Sequence, residues 1–160
     1  MTKRQSHKLA ALCLCIMLLA AYPAGRSAQA AAESGALTTP PPAEAVLFST
    51  FDPSFDYLDD GGAMIAQSSA GKALISGDSS AKDTVDTIAV RLYVERWTGS
   101  AWVNYTNKPA KTQSNDTYVY DSHIVSVTGG YYYRVRSVHW TIEGGVQEQG
   151  VRYTSSVLIN

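Results

Sequence analysis

The clearest pattern in the chain is an alternation of apolar and polar side chains between residues 88 and 95. The apolar positions are Ile88, Val90, Leu92 and Val94, and Ala89, Arg91, Tyr93 and Glu95 lie between them. A period of two places alternate side chains on opposite faces of a strand. The pattern therefore predicts a strand with one solvated face, and we expect the four aliphatic side chains to point into a core.

Similar short runs, rich in β-branched and aromatic residues, follow one another from residue 63 onward. They predict a hairpin of 63–68 and 72–77 around Ala70-Gly71, and further strands at 88–94, 102–106, 118–127, 131–142 and 146–159. The polar segments 78–86 and 107–116 are predicted to be loops. About seven strands separated by turns indicate an all-β protein, and we expect an antiparallel β-sandwich of the immunoglobulin-like or fibronectin III-like kind.

The N-terminal segment has a different pattern, which predicts a secretory signal peptide over residues 1–30. Basic residues (Lys3, Arg4 and Lys8) precede an apolar run from Leu9 to Ala21, and Ala28-Gln29-Ala30 has the small-x-small form of a cleavage site. The apolar run is predicted to form a signal helix, and it is shorter than the roughly 20 residues needed to span a membrane. We therefore expect cleavage after Ala30 and a secreted, extracellular protein that is not held in a membrane.

The remaining chain divides into two parts by composition. Residues 31–61 are predicted to be a linker or partly ordered arm, because 31–45 is rich in Ala, Ser, Thr and Pro and 46–61 mixes aromatic with acidic residues. Residues 62–160 are predicted to form the β-sandwich domain.

Charge and cysteine content narrow the classes of function. Without residues 1–30, nine Lys and Arg remain against 14 Asp and Glu, a net charge of −5. Such a surface repels phosphate backbones and anionic headgroups, so we expect no nucleic-acid partner and no basic membrane-binding face. Both cysteines, Cys13 and Cys15, lie in the apolar run. The fold must therefore be stabilised by its core and not by disulfides.

One short motif resembles a known family. Val127, Gly130, Tyr133, Val135 and Ser137 occupy the positions that define the corner between strands E and F of fibronectin type III domains. The resemblance implies that the Tyr133 hydroxyl bonds to backbone near the corner. The chain departs from the family in having Gly129 where proline is preferred, and it lacks the early-strand tryptophan.

A wider resemblance covers Ala63 to Asn160. It rests on Glu95-Arg96-Trp97, on Gly99-Ser100-Ala101-Trp102-Val103, on the run from Gly130 to Arg136 followed by His139, and on Thr154-Ser155-Ser156. These features resemble small secreted proteins of spore-forming Gram-positive bacteria that are classified as a domain of unknown function. The resemblance implies an origin and a fold, and it brings no activity or site residues.

The candidates for catalysis and metal binding are few. Beyond residue 30 the chain has only His123 and His139 as histidines, and zinc needs three or four suitable ligands. Gly77-Asp78-Ser79 has the start of an esterase motif without the Gly-x-Ser-x-Gly elbow. The acidic residues Asp52, Asp56, Asp59 and Asp60 lack the spacing of a calcium loop. We expect no catalytic residues, no metal and no cofactor.

Binding is the better-supported class of function. Aromatic and arginine side chains on the solvated sheet face suit sugars, peptides or another protein. The candidate surface consists of Trp97, Trp102, Tyr132, Arg134 and Trp140. The sequence therefore predicts a secreted, non-catalytic module for a cell-envelope glycan or protein. Its alternatives are a structural, self-associating protein of a matrix or spore surface, and a small hydrolase. A further alternative is that these aromatic residues cover sheet edges and turns and bind no ligand.

Overall fold

The computed structural model describes residues 35–43 and 51–160. The predicted signal peptide and its cleavage site lie outside these residues. Seven strands form: β1 (Leu58–Ser69), β2 (Lys72–Trp97), β3 (Trp102–Asn107), β4 (Lys111–Ser126), β5 (Tyr131–Glu143), β6 (Val146–Tyr153) and β7 (Val157–Ile159). In the described ranges there is no helix, and hence none long and apolar enough to cross a membrane.

All seven strands belong to one antiparallel sheet that curls into a half-barrel. The order along it is β1-β2-β5-β6, with β3 and β4 also paired to β2 and β7 paired to β5. The 26-residue strand β2 organises the curl, because its first part pairs with β1 and its second part with β5 and β3. The predicted all-β, antiparallel, seven-stranded class is confirmed. The strands are not divided between two separate sheets, since β2 runs continuously from one side to the other.

The loop prediction for residues 78–86 is wrong, because this segment lies within β2. Asp78, Ser79 and Ser80 pair with β1 on one side and with β4 on the other. Neighbouring strands supply the backbone hydrogen bonds, so polar side chains do not interrupt the ladder. The loop predicted over 107–116 is also too long, because β4 begins at Lys111.

The core lies on the concave face of the curled sheet. Ile88, Val90, Leu92 and Val94 are each 0% exposed, which confirms the expectation drawn from their alternation. They pack in one cluster with inward side chains of the other strands, namely Ile65, Ile75, Val85, Val119, Val125, Tyr133, Val135 and Ile159.

The described parts of the predicted arm are anchored to the sheet by hydrogen bonds. The Leu37 amide donates to the carbonyl oxygen of Gly130 at 2.7 Å, and the Trp97 indole donates to the carbonyl oxygen of Thr39 at 3.0 Å. Further along, the Glu148 carboxylate accepts hydrogen bonds from the consecutive amides of residues 56–58 at 2.6–2.8 Å. Both segments are therefore fixed against the strands rather than extended into solvent.

Candidate functional site

The convex face of β2 and β5 carries a row of arginine and aromatic side chains. It faces away from the core because its members alternate with the buried residues of the same strands. Cross-strand pairing puts Glu95 opposite Arg134, Tyr93 opposite Arg136, and Arg91 opposite Val138. The tertiary structure thus collects cations and aromatic rings on one surface of a chain whose net charge is negative.

Glu95 is the anionic centre of this row. Its two carboxylate oxygens accept hydrogen bonds from Nε of Arg134 at 2.8 Å and from Nε of Arg136 at 3.1 Å. The Glu95 and Arg134 side chains are each 12% exposed, so this network is largely shielded from water. The Arg136 guanidinium also lies 3.9 Å from the centroid of the Tyr93 ring. One carboxylate and one aromatic ring therefore hold these two arginines in fixed positions.

Three residues of the predicted surface meet at one end of the row. The Arg134 guanidinium lies 4.4 Å from the Trp102 ring centroid, and the Trp102 and Trp97 rings are 5.4 Å apart. Trp97, however, is only 7% exposed, because Thr39 and Trp102 cover it. This tryptophan is a packing residue and presents little surface to a ligand.

Tyr132, another predicted surface residue, is 5% exposed. It pairs with Leu158 of β7, a strand that the sequence analysis did not separate from β6. Its hydroxyl makes no hydrogen bond within the described residues. Tyr132 therefore lies apart from the accessible part of the face.

Trp140 lies at the other end of the row and borders an open cleft of about 330 Å³. The other lining residues are Arg91, Tyr93, Val138, Gln147 and Gln149. The Arg91 Nε donates to the carbonyl oxygen of Lys108 at 3.3 Å, and its guanidinium lies 5.3 Å from the Tyr93 centroid. Arg91 forms no ion pair with a carboxylate among residues 35–43 and 51–160. The cleft thus combines two aromatic rings, two amides and a guanidinium.

A buried Ser–His–Ser cluster lies on the concave side of the sheet. His139 Nδ1 is 2.9 Å from Oγ of Ser79, and its Nε2 is 2.7 Å from Oγ of Ser137. Each of these residues is 0% exposed. The Ser79 hydroxyl also contacts the carbonyl oxygen of Ala89 at 2.9 Å. Phe51 covers the imidazole with a centroid separation of 5.4 Å.

This cluster brings together Ser79 and His139, which are 60 positions apart in the chain. Burial lowers the pKa of His139 to about 4, and the nearby positive charge of Arg152 acts in the same direction. A serine nucleophile must reach substrate, and its histidine needs an acceptor that orients it. Here Ser79 is enclosed, and Nε2 of His139 contacts a serine hydroxyl and no carboxylate. The arrangement satisfies buried polar groups and offers no accessible nucleophile.

One feature of the sequence, the two-residue alternation, could have predicted that Ser79 and His139 point to the same side of the sheet. Ser79 and His139 both occupy inward positions of strands whose side chains alternate between buried and exposed. The prediction of a loop at 78–86 gave Ser79 no strand position, so its inward direction could not be predicted. The cleft residues Gln147 and Gln149 were also missed. The only feature of the sequence that pointed to these two glutamines is that they lie two residues apart near the start of a strand. Many exposed polar residues share this spacing.

The described residues contain no group of three or more His, Cys, Asp or Glu that could hold a metal ion. His123 and Asp121 form an isolated pair, with Nε2 and Oδ2 2.8 Å apart. The acidic residues of the arm are dispersed, since Asp52 bonds to Ser54 while Asp60 pairs with Arg152.

In comparisons with known proteins, no family model, no curated protein and no solved structure matched this chain.

Proposed function

We propose that this protein is an extracellular, non-catalytic module that binds a glycan of the cell envelope in the cleft beside Trp140. The observation that carries the proposal is the composition of the cleft. Trp140 and Tyr93 provide flat apolar surfaces, while Arg91, Gln147 and Gln149 provide hydrogen-bonding groups around them. Binding sites for small polar ligands combine apolar walls with a few placed polar groups in this way.

Sugars suit these walls better than other small ligands. The C–H face of a pyranose packs on an aromatic ring, and its hydroxyls accept and donate at once, as glutamine amides do. The Arg91 guanidinium has unused N–H donors, because its described contacts are one carbonyl oxygen and the Tyr93 ring. A volume of about 330 Å³ is at the lower end for ligand sites, which fits one or two sugar units.

Two further assignments belong to this proposal. Extracellular location is supported by the signal-peptide pattern of residues 1–30. A relationship to immunoglobulin-like and fibronectin type III domains is supported by the corner at Tyr133, whose hydroxyl bonds to the Thr128 carbonyl oxygen. A small hydrolase is the weaker alternative, because both Ser–His contacts of His139, with Ser79 and Ser137, are enclosed in the core.

Calorimetric titration of the protein with soluble peptidoglycan fragments and with neutral oligosaccharides tests the proposal. We expect Trp140→Ala to weaken glycan binding at least tenfold. Tyr118→Ala is the matched control, because Tyr118 is an exposed aromatic residue on β4, away from the cleft. Equal binding by both variants, or no binding of any glycan by the unmodified protein, would contradict the proposal.

A further inference from the structure

Strand β4 has one unpaired edge. It pairs only with β2, and no other strand of residues 35–43 and 51–160 lies against its second side. From Tyr118 to Ser126 this edge contains no proline, glycine, lysine or arginine, and its pairing with β2 is regular, because the register shift lies before Tyr118. Proline, lysine and bulges are among the devices that usually prevent an edge strand from pairing with another chain, and Asp121 is the single carboxylate of this stretch.

Hydrogen-bond alternation shows which backbone groups lie on the open side. Since Lys72 lies opposite Ser126, the next residues, Gly71 and Val127, also lie opposite each other. The Val127 amide donates to the Gly71 carbonyl oxygen at 2.8 Å. In an antiparallel pair such positions alternate, so the odd-numbered residues of β4 face β2 and the even-numbered ones face outward. The Ser122 amide agrees with this assignment, because it bonds to the neighbouring Asp121 carboxylate at 3.1 Å rather than to a strand.

The same even-numbered positions expose apolar side chains. Tyr118, Tyr120 and Ile124 are 49%, 52% and 60% exposed, respectively. The even-numbered amides point to the open edge, where those of Tyr118 and Ser122 bond to the Asp116 and Asp121 carboxylates at 3.2 and 3.1 Å, contacts that a pairing strand would replace. Outward amides next to exposed apolar side chains form an edge that another strand can cover.

We propose that this edge binds a second copy of the same chain, so that two β4 strands pair antiparallel about a twofold axis at Ser122. In this register Ser122 lies opposite Ser122 of the second copy, and Tyr120 lies opposite Ile124. The odd positions then place Asp121 opposite His123. The interface is self-complementary, as twofold symmetry requires.

Charge distinguishes this register from its neighbours. Centring the axis one residue earlier places the two Asp121 carboxylates directly opposite each other, which is unfavourable. Centring it one residue later places the two His123 rings opposite each other and Asp121 opposite the apolar Val125. Only the Ser122 axis gives each carboxylate an imidazole from the other copy, in addition to the contact of 2.8 Å that it already makes within its own chain.

Cysteine cross-linking tests both the dimer and its register. The background is the full chain with Cys13→Ser and Cys15→Ser, and each variant carries one new cysteine. At the axis, the two Ser122→Cys positions would have Cα atoms about 5.5 Å apart, within disulfide range. Tyr120→Cys is the matched control, because in this register its two copies are separated by about 13 Å. We expect mild oxidation to link at least ten times more Ser122→Cys than Tyr120→Cys.

Sedimentation velocity provides the second measurement. We expect a concentration-dependent dimer for the unmodified protein and a monomer for Ile124→Lys, which places a charge in the paired edge without altering the buried face. Circular dichroism should show that Ile124→Lys keeps its strand content. A strict monomer at millimolar concentration, or equal cross-linking of the two cysteine variants, would overturn the proposal.

Discussion

The phenol hydroxyl of Tyr133 donates a hydrogen bond to the carbonyl oxygen of Thr128, 2.9 Å away and five residues earlier in the chain. The contact closes the turn between β4 and β5. The Tyr133 ring is 0% exposed, and burial raises the pKa of its hydroxyl. The sequence analysis predicted a bond from this hydroxyl to nearby backbone, and the structure confirms that bond.

Replacing Tyr133 with phenylalanine should therefore lower the free energy of unfolding by about 1–2 kcal/mol, because the Thr128 carbonyl loses its partner in a shielded position. Urea denaturation measures the change. Tyr105→Phe is the control, since its hydroxyl makes only a 3.4 Å exposed contact with Thr128 Oγ1 and its loss should cost less than about 0.5 kcal/mol. Equal losses in the two variants would show that the corner bond does not stabilise the fold.

The buried His139 predicts a dependence of stability on pH. Its pKa is about 4 in the folded protein against 6.5 for an unperturbed histidine. Between these values the unfolded chain binds a proton that the native state does not, so stability falls as pH falls from about 6.5 to about 4. A pKa shift of this size corresponds to a loss of about 3 kcal/mol in the free energy of unfolding. None of this stability is lost above pH 6.5, and the loss is nearly complete at about pH 4.

Denaturant titrations at pH 7 and pH 4.5 check this expectation. His139→Gln should lose most of its pH dependence relative to the unmodified protein, although it will be less stable at pH 7. Ser126→Ala serves as the control, because Ser126 is exposed and has no titratable side chain, so the substitution should leave the dependence intact. If His139→Gln and the unmodified protein show the same slope, His139 is not the group responsible.

The backbone at Gly61 passes so close to the His139 ring that no larger residue fits at position 61. A Cβ atom at residue 61 would lie 2.3 Å from Nδ1 of His139, a ring that is held from both sides by serines. We expect Gly61→Ala to destabilise the protein by about 1–3 kcal/mol, through overpacking in the core. Gly62→Ala should cost less, since the atom that its Cβ meets is the partly exposed Asp78 carboxylate, which can rotate away. Thermal melts of both variants distinguish the two cases, and the reverse order would contradict this account.

Glu95 should contribute more to stability than a surface carboxylate. Glu95→Gln removes the charge that neutralises Arg134 and Arg136 in a shielded network, and we expect a loss of about 1–3 kcal/mol in urea titrations. Asp60→Asn is the matched comparison, because Asp60 pairs with Arg152 but its side chain is 59% exposed. Exposed pairs contribute at most about 1 kcal/mol. Similar effects in the two variants would mean that the Glu95 network is as well solvated as the surface pair.

Of the candidate site, the sequence indicated the residue types and part of the face. Arg134 and Trp140 lie on the convex surface as the alternation predicted, but Trp97 and Tyr132 are covered by other segments. Thr39 covers Trp97 across 58 positions of chain. Such coverage depends on contacts between distant segments, and a strand's own periodicity contains no information about them.

The sequence by itself determined the all-β class and the direction in which the 88–94 side chains point, because the two-residue repeat of an extended backbone is a local property. The tertiary structure alone decided that β2 continues through residues 78–86, since neighbouring strands on both sides supply its hydrogen bonds. It also decided the meeting of Ser79 with His139 and the open edge of β4. These features depend on how one sheet curls, and the curl follows from pairings between residues far apart in the chain.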